Sequence, residues 1–291
     1  MMMVACAHAS FQKYGKTAKG EQRYRCNNCG HVWFDAAPKP LGRMNVPVDE
    51  AKMALRLLVE GSSIRSTARV MGMHKKTVLK LLVYFGDASR RFLDRRMRGL
   101  TLDHLQFDEQ WTYVLKKQSR LTINERAERH DIGDIYLWTC IDQDTKLMPS
   151  FLIGKRSGDN ARRFMLDVAG RLTWPKPHAS DDHAFAQGTF KRIMQISTDA
   201  FAAYPEAVDL AFGQCVRWGT IIKEYRNAQI IYTPSEMVGT KRTQRRGMTE
   251  QDKWTICTSH VERLNGTQRL FLERLNRLTY CFSKKLRNLE A

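Results

Sequence analysis

The sequence predicts a mixed α/β sheet with flanking helices, preceded by two smaller segments. Three observations support this fold class. The hydrophobic pattern changes from helical to extended near Leu102, a stretch rich in proline and glycine interrupts the chain at 36–48, and both ends of the chain are more basic than its middle. Since 43% of the 291 residues are hydrophobic and 10% are aromatic, the composition excludes a disordered chain.

These changes divide the chain into four parts. We expect a small segment at 1–36, a linker at 37–47, a helical segment at 48–100 and a sheet domain at 101–291. The interrupting stretch holds three prolines and a glycine, so it continues neither a helix nor a central strand. We expect a cytoplasmic protein, because the sequence has no cationic leader with an apolar core and no apolar run of the ~20 residues that cross a bilayer.

The distribution of charge indicates a polyanionic partner. Residues 1–100 hold 19 Lys/Arg and 7 Asp/Glu, residues 101–239 hold 17 and 18, and residues 240–291 hold 12 and 5, for a net charge of +18. Each phosphate that a cation neutralises releases condensed counterions, which favours binding to a nucleic acid. The alternative is a basic protein without such a partner.

Two cysteines in the first segment have the spacing of a zinc knuckle. Cys26 and Cys29 are three residues apart and precede Gly30, and two thiolates at this spacing can bind one tetrahedral zinc ion. Cys6 and either His8 or His31 are candidates for the remaining ligands of a zinc-ribbon-like segment. The alternative is a knuckle that has lost its metal. The seven cysteines are otherwise expected to be reduced thiols.

The second segment predicts a helix-turn-helix DNA-binding domain at 48–100. Residues 61–86 divide at Gly72 into two amphipathic helices, and small Ala68 permits a close crossing. The second helix would carry cations for phosphates and polar groups for base edges. The candidate DNA-binding residues here are Arg65, His74, Lys75, Lys76, Thr77 and Lys80. An ordinary helical hairpin with a solvated face is the alternative.

The third segment alternates strands and helices. Extended patterns at 104–117, 134–142 and 146–154 are followed by a helix at 156–172, a strand at 193–198, a helix at 202–212, a strand at 229–233 and one long or once-broken helix at 259–289. The second and third strands are separated by a short turn that favours a hairpin. The order βββαβαβα predicts a mixed sheet flanked by helices.

Three carboxylates in this layout stand where strands end or a helix begins: Asp108, Asp199 and Glu262. Such acids can converge at one crevice, and carboxylates are the ligands that Mg²⁺ or Mn²⁺ prefers. Each also has a structural explanation. Glu109 is a rival to Asp108, Asp199 suits a helix N-cap, and Glu262 completes a capping box with Ser259.

Five short motifs together resemble one family. They are GK…G-x-QRYRC-x-x-C-G…W at 15–33, STARVMG-x-x-x-x-TVLKLL at 66–82, FDEQW at 107–111, TD-x-x-x-x-Y at 198–204 and HVERLNG-x-x-R at 260–269. Their order resembles the transposases of the IS1 family of bacterial insertion sequences. The resemblance implies an N-terminal zinc ribbon and helix-turn-helix, and an RNase H-like catalytic domain of the DDE type.

The resemblance also implies roles for individual residues. Asp108, Asp199 and Glu262 would hold Mg²⁺ or Mn²⁺, and Cys6, Cys26 and Cys29 would hold zinc. Met3 stands where the family has another cysteine, which indicates a lost ligand, its replacement by His8, or a misassigned start of the sequence. The segments 154–196 and 239–253 are longer than in compact members.

Further basic residues near the end of the chain are candidates for contact with DNA: Lys241, Arg242, Arg245, Arg246, His260 and Arg263. The first four belong to a basic segment, and the alternative is that this segment is a solvated loop. The alternative for His260 is a surface residue at the start of a helix.

We therefore expect a DNA transposase that binds double-stranded DNA at the element ends, hydrolyses one strand and joins its 3′ end to target DNA. Joining two ends favours a homo-oligomer. One alternative is a DNA-binding regulator, a repressor whose sheet domain is inactive. The other is a tyrosine recombinase, because His260-x-x-Arg263 precedes Tyr280, although Tyr280 is equally suited to packing beside Phe282.

Overall fold

The computed structural model describes residues 6–18, 20–34, 40–173, 194–213, 216–225, 237–276 and 279–291. The chain forms two compact units, Met1–Glu50 and Ala51–Ala291. Met3 and the predicted strand at 229–233 lie outside the described residues. In the part of the chain that is described, no helix has the length and the apolar character needed to span a membrane.

The N-terminal unit contains a three-stranded antiparallel sheet. Its strands are β1 (Phe11–Lys16), β2 (Gln22–Cys26) and β3 (Val32–Phe34), in the order β1-β2-β3. The rings of Phe11, Tyr24 and Trp33 meet on one face, with centroids 5.4 to 6.1 Å apart. This aromatic contact takes the place of an aliphatic core, which so short a sheet cannot supply.

Three helices follow: α1 (Val48–Val59), α2 (Ile64–Val70) and α3 (Lys75–Arg96). The side chain of Ser63 caps α2, and the turn that separates α2 from α3 contains Gly72 at a φ of 61°, where glycine is favoured. Ala68, Val78 and Leu82 are buried together where α2 and α3 cross. The predicted division at Gly72 into two helices is confirmed.

The second unit is built on a six-stranded mixed sheet. Its strands are β4 (His104–Val114), β5 (Gly133–Asp142), β6 (Phe151–Gly154), β7 (Met194–Asp199), β8 (Val216–Tyr225) and β9 (Met237–Arg246). The spatial order is β6-β5-β4-β7-β8-β9. Strands β4, β5 and β6 are antiparallel, β7 and β8 run parallel to β4, and β9 returns antiparallel to β8. The predicted mixed sheet with flanking helices is confirmed.

Helices cover both faces of this sheet. They are α4 (Ile123–Glu128), α5 (Gly158–Ala169), α6 (Tyr204–Phe212), α7 (Ser259–Phe271) and α8 (Leu286–Glu290). Helices α5 and α6 pack on the face that presents Phe107 and Trp138, and these residues share one buried cluster with Phe164 and Tyr204. Because neighbouring residues of a strand point to opposite faces, the other face of β4 is left for α7.

One prediction for the C-terminal third and one alternative differ from the structure. The long or once-broken helix predicted at 259–289 ends at Phe271, and a short 3₁₀ turn at Glu273–Leu275 and helix α8 follow it. The turn places Leu275 in a buried cluster with Val114, and this packing outweighs the helical periodicity. The basic segment is partly a strand, since β9 extends to Arg246 and pairs with β8.

Candidate functional site

Strand β4 carries two adjacent acids in its middle. Asp108 and Glu109 are the fifth and sixth of its eleven residues, so the expectation that Asp108 stands at a strand end is wrong. Gln106, Asp108 and Gln110 point to the face covered by α7, because they alternate with Phe107 and Glu109. The side chains of Asp108 and Glu109 therefore leave β4 on opposite faces of the sheet.

Helix α7 is fixed to β4 by side-chain hydrogen bonds. The backbone N–H groups of His260 and Val261 donate to Gln106 Oε1 at 3.0 and 3.2 Å, which satisfies two amides at the start of the helix. Gln110 Nε2 donates to the backbone oxygen of Asn265 at 3.2 Å. These bonds set the position of the first two turns of α7, which include Glu262.

Asn265 also joins the helix directly to the acid. Its Nδ2 donates to Asp108 Oδ2 at 2.7 Å, and its Oδ1 accepts from Thr139 Oγ1 at 3.2 Å. Asn265 is only 4% exposed, so both of its polar atoms are satisfied within the protein. The orientation of the Asp108 carboxylate is thus determined by α7.

The carboxylates of Asp108, Glu109 and Asp199 converge. One oxygen from each lies within 4.8 Å of the others. Asp199 is the last residue of β7, which lies beside β4 in the sheet, and its Oδ1 accepts from the backbone N–H of Phe201 at 2.9 Å. The structure therefore brings together Asp108 and Asp199, with Glu109 as the third member of the acidic cluster.

Glu262 stands beside this acidic cluster. It lies in the first turn of α7, where its Oε1 accepts from Thr258 Oγ1 at 2.6 Å and pairs with Lys223 Nζ. Its charge is close enough to contribute to the raised pKa of Asp108. The predicted capping box with Ser259 is wrong, since the N-cap residue is Thr258, and the proposed N-cap role of Asp199 is wrong, since Ala203 occupies the N-cap of α6.

The acidic cluster has a shortage of positive charge. Burial raises the pKa of Asp108, and the neighbouring charges of Asp199 and Glu262 raise it further. Burial and the charge of Asp199 raise the pKa of Glu109 to about 7. The Glu109 side chain is 2% exposed, its Oε2 pairs with Arg156, and the buried hydroxyl of Tyr204 is close enough to lower the pKa of Glu109. Three half-buried carboxylates with one oxygen each within 4.8 Å of the others form a set of hard oxygen ligands that fits a divalent cation.

Arg156 is a cation that the structure places against two of these carboxylates. It lies in the turn between β6 and α5 and pairs with Glu109 and Asp199. Its guanidinium carbon lies 4.0 Å from the ring centroid of Phe201.

A second cluster of metal-ligating atoms lies in the N-terminal unit. Cys6, His8, Cys26 and Cys29 each offer an atom within 4.8 Å of the others. The Sγ atoms of Cys6 and Cys26 are 3.8 Å apart, and Cys29 Sγ lies 3.3 Å from His8 Nδ1. Three sulfurs and one imidazole nitrogen are a donor set that binds tetrahedral zinc. This arrangement is compatible with an N-terminal zinc ribbon.

The geometry distinguishes the two candidate histidines. His8 contributes to the cluster, whereas the ring of His31 stacks on that of His8 with centroids 5.0 Å apart. Backbone hydrogen bonds around the knuckle, the first from the N–H of Cys29, lower the pKa of Cys26 to about 6, which favours the thiolate that binds a metal. Gly30 has a φ of 72°, so a residue with a side chain would be strained in the turn.

The predicted DNA-binding residues of α2 and α3 lie at the surface. Arg65, Lys75, Lys76 and Lys80 are exposed, and Thr77 is half-buried. His74 is also exposed, but its Nδ1 accepts from the backbone N–H of Lys76 at 3.2 Å and caps α3. The ring therefore has a structural role that the sequence did not reveal.

The basic residues of β9 divide into two groups. Lys241 and Arg245 are exposed. Arg242 donates to the backbone oxygen of Ile256 at 3.0 Å, and Arg246 pairs with Asp209 and donates to the backbone oxygen of Gly213. The alternative of a solvated loop is wrong for this segment, because three of the four have partners within the protein: Arg242, Arg246 and also Arg245, whose Nε donates to Thr220 Oγ1 at 3.2 Å.

The remaining candidates lie near or beyond Glu262. Arg263 is exposed, and His260 Nδ1 lies 3.0 Å from Lys146 Nζ. Tyr280 is fully exposed, so the expectation that it packs beside Phe282 is wrong.

No protein-family model and no curated protein matches this sequence.

Two residues of the site, Arg156 and Lys223, carry no signal in the sequence, and only the folded chain places them against acids. Asn265 stands in the motif HVERLNG, but nothing in the sequence indicated its contact with Asp108. Glu109 carried a signal, as the neighbour of Asp108 in FDEQW.

Proposed function

We propose that this protein is a DNA transposase of the DDE type, which binds element ends and catalyses metal-dependent strand hydrolysis followed by strand transfer. The observation that carries the proposal is the convergence of Asp108, Glu109 and Asp199 within 4.8 Å, beside the helix that carries Glu262. Ordinary structural acids each have a cation of their own or are exposed, whereas these three half-buried carboxylates lie together with one guanidinium, that of Arg156, paired to two of them.

The sheet supports an RNase H-like assignment of residues 101–291. Three antiparallel strands are followed by two strands parallel to β4, and the acids come from the central strand β4, the end of β7 and a helix packed on β4. This topology brings acids that are distant in sequence to one place, as the proposed chemistry requires.

Within this proposal, Asp108 and Asp199 hold a divalent cation, and Glu262 completes the ligand set. Such an ion activates a nucleophile and stabilises the leaving oxygen during displacement at phosphorus. Asn265 orients Asp108, and Gln106 holds the start of α7 in register with β4. Glu262 pairs with Lys223 beside the acidic cluster and would have to give up this contact to serve as a ligand.

We infer that the preceding segments bind double-stranded DNA. Helices α2 and α3 have the lengths and the short turn of a helix-turn-helix, and the exposed cations of α3 lie near its N-terminus, where a recognition helix contacts DNA. The cysteine-histidine cluster would hold zinc and stabilise the small sheet around it. A homo-oligomer follows from the need to hold two DNA ends.

The test is incubation of the purified chain with DNA from the flanks of its gene, in Mg²⁺, in Mn²⁺ and in EDTA. We expect nicking at a defined phosphodiester that requires the metal, and its loss in Asp199→Ala and Glu262→Gln. Asp159→Asn is the matched control, because Asp159 is an exposed acid that pairs with Arg162 outside the acidic cluster.

The same assay separates the alternatives. A regulator with an inactive sheet domain would bind the DNA equally well in EDTA and would be unaffected by Glu262→Gln. A tyrosine recombinase would form a 3′-phosphotyrosyl adduct at Tyr280 in EDTA. Full strand transfer by Asp199→Ala with Mg²⁺ would refute the metal assignment.

A further inference from the structure

Arg156 is held at the acidic cluster from three directions. Its Nε lies 3.3 Å from Glu109 Oε2, and its Nη2 lies 3.2 Å from Asp199 Oδ2. The guanidinium carbon lies 4.0 Å from the ring centroid of Phe201, the second residue after Asp199. The side chain is 35% exposed, so the guanidinium is fixed against the cluster and still reaches solvent.

This position puts Arg156 in competition with a metal ion. Asp199 has two carboxylate oxygens, and both are occupied: Oδ1 by the backbone N–H of Phe201 and Oδ2 by Arg156. The backbone contact spans only two residues and is part of the turn that follows β7. Each oxygen keeps a second lone pair, but a divalent cation at Asp199 would be repelled by the guanidinium and would weaken its ion pair with Oδ2.

The displaced guanidinium would remain near the site. Glu109 Oε2 and the ring of Phe201 still contact it after Asp199 is released, so the side chain pivots and does not leave. A planar guanidinium with several N–H groups matches the oxygens of a phosphate group. The DNA backbone is the phosphate that comes to this place if the proposed function is right.

We propose that Arg156 is a phosphate-binding residue of the site, which neutralises Glu109 and Asp199 before the metal binds and contacts the DNA phosphate afterwards. This inference rests on the proposed function and assigns a role to a residue that the DDE motif does not include. It predicts that removal of Arg156 changes metal binding and strand cleavage in opposite directions, which a purely structural role would not do.

The first measurement uses Mn²⁺ alone and the zinc-loaded full chain without DNA. Titration calorimetry should give Arg156→Gln a Mn²⁺ affinity roughly 5- to 10-fold higher than the wild type, because the competing cation is gone. The matched control is Arg162→Gln. Arg162 is 33% exposed, also bridges two acids, and contacts Asp159 and Glu206 away from the cluster. This control should leave the affinity unchanged.

The second measurement is strand cleavage at saturating Mn²⁺. Arg156→Gln should be slower by about 100-fold, in the range found when one charge-stabilising donor is removed from an active site. Arg156→Lys keeps the charge but loses the planar fork, so it should bind Mn²⁺ like the wild type and cleave at an intermediate rate. Arg162→Gln should cleave at the wild-type rate.

The inference is overturned if Arg156→Gln binds Mn²⁺ no more tightly than the wild type, or if it cleaves as fast at saturating metal. Should Arg156→Gln fail to fold, Arg156→Lys decides the question by its cleavage rate, and a wild-type rate overturns the inference. Wild-type protein that binds Mn²⁺ at the acidic cluster but never cleaves DNA refutes the proposed function instead. The affinity of Arg156→Gln still reports on the competition in that case.

Discussion

Substitution of Asn265 by alanine tests the link between α7 and the acid of β4. The change removes the bond from Nδ2 to Asp108 Oδ2 and leaves the hydroxyl of Thr139 with only a 3.5 Å contact to the backbone oxygen of Asp108. A buried hydrogen bond to a charged group contributes about 1.5–3 kcal/mol, and a neutral one about 1 kcal/mol. We therefore expect the free energy of unfolding to fall by about 3 kcal/mol.

The same substitution should also weaken metal binding. Asn265 donates to the charged form of Asp108, so its loss raises the pKa of Asp108 above the value that burial already sets. Removal of a residue that orients a metal ligand typically lowers metal affinity by about 10- to 100-fold. Mn²⁺ titration of the Asn265→Ala chain at neutral pH measures this effect.

Thermal unfolding followed by tryptophan fluorescence measures the change in stability. About 3 kcal/mol corresponds to a melting temperature lower by roughly 6–12 °C for a domain of this size. Thr267→Ala is the control, because Thr267 is exposed on the same helix and only donates to the backbone oxygen of Arg263. If Asn265→Ala melts within 2 °C of this control and binds Mn²⁺ as tightly, α7 does not organise the acid.

Three further predictions concern zinc, pH and DNA. His8→Ala should abolish tight zinc binding and His31→Ala should retain about one zinc ion per chain, measured by chelator competition, because only His8 belongs to the cluster. Burial raises the pKa of Glu109 from 4.5 to about 7 in the metal-free chain. The contribution of protonated Glu109 to the free energy of unfolding is therefore complete below about pH 4.5 and is lost as the pH rises through about 7. Mn²⁺ affinity should rise over the same upper range, and Glu109→Gln should remove both effects in melting and titration experiments. Lys241→Ala should weaken DNA binding and reduce its salt slope by about one, whereas Arg246→Ala should mainly lower stability by about 1 kcal/mol, because Arg246 pairs with Asp209.

The central sheet was the most predictable part of the fold. Strands β4, β5 and β7 are rich in aromatic and β-branched residues and are buried, so their composition alone indicates their structure. Strand β9 was not predictable in this way. It is an edge strand that ends in Lys-Arg-Thr-Gln-Arg-Arg, and an edge strand tolerates charge because one side of it meets solvent. Antiparallel pairing with β8 determines the conformation of β9, and the residues of β9 do not encode this pairing in a local pattern.

The candidate site was predictable only in part, for a related reason. The sequence indicated Asp108 and Asp199, since each stands in or at the end of a hydrophobic run in a sheet. The partners of each acid depend on the order of the strands in the sheet and on the position at which α7 docks, and the local sequence encodes neither. Arg156 meets Glu109 across 47 residues of chain and Asp199 across 43 residues, so no motif could include these contacts.

The electrostatics of the chain impose an order on its proposed reaction. The two basic ends would attract DNA, but three carboxylates in the neutral middle, together with Glu262, would repel the phosphate that must approach them. Arg156 and Lys223 offset part of this charge in the metal-free protein, each by pairing with acids of the site or beside it. A divalent cation would offset two of these negative charges and would compete with Arg156 for Asp199 and with Lys223 for Glu262. Metal binding should therefore strengthen DNA binding at the acidic cluster, and by linkage DNA should raise the affinity for Mn²⁺ by the same factor.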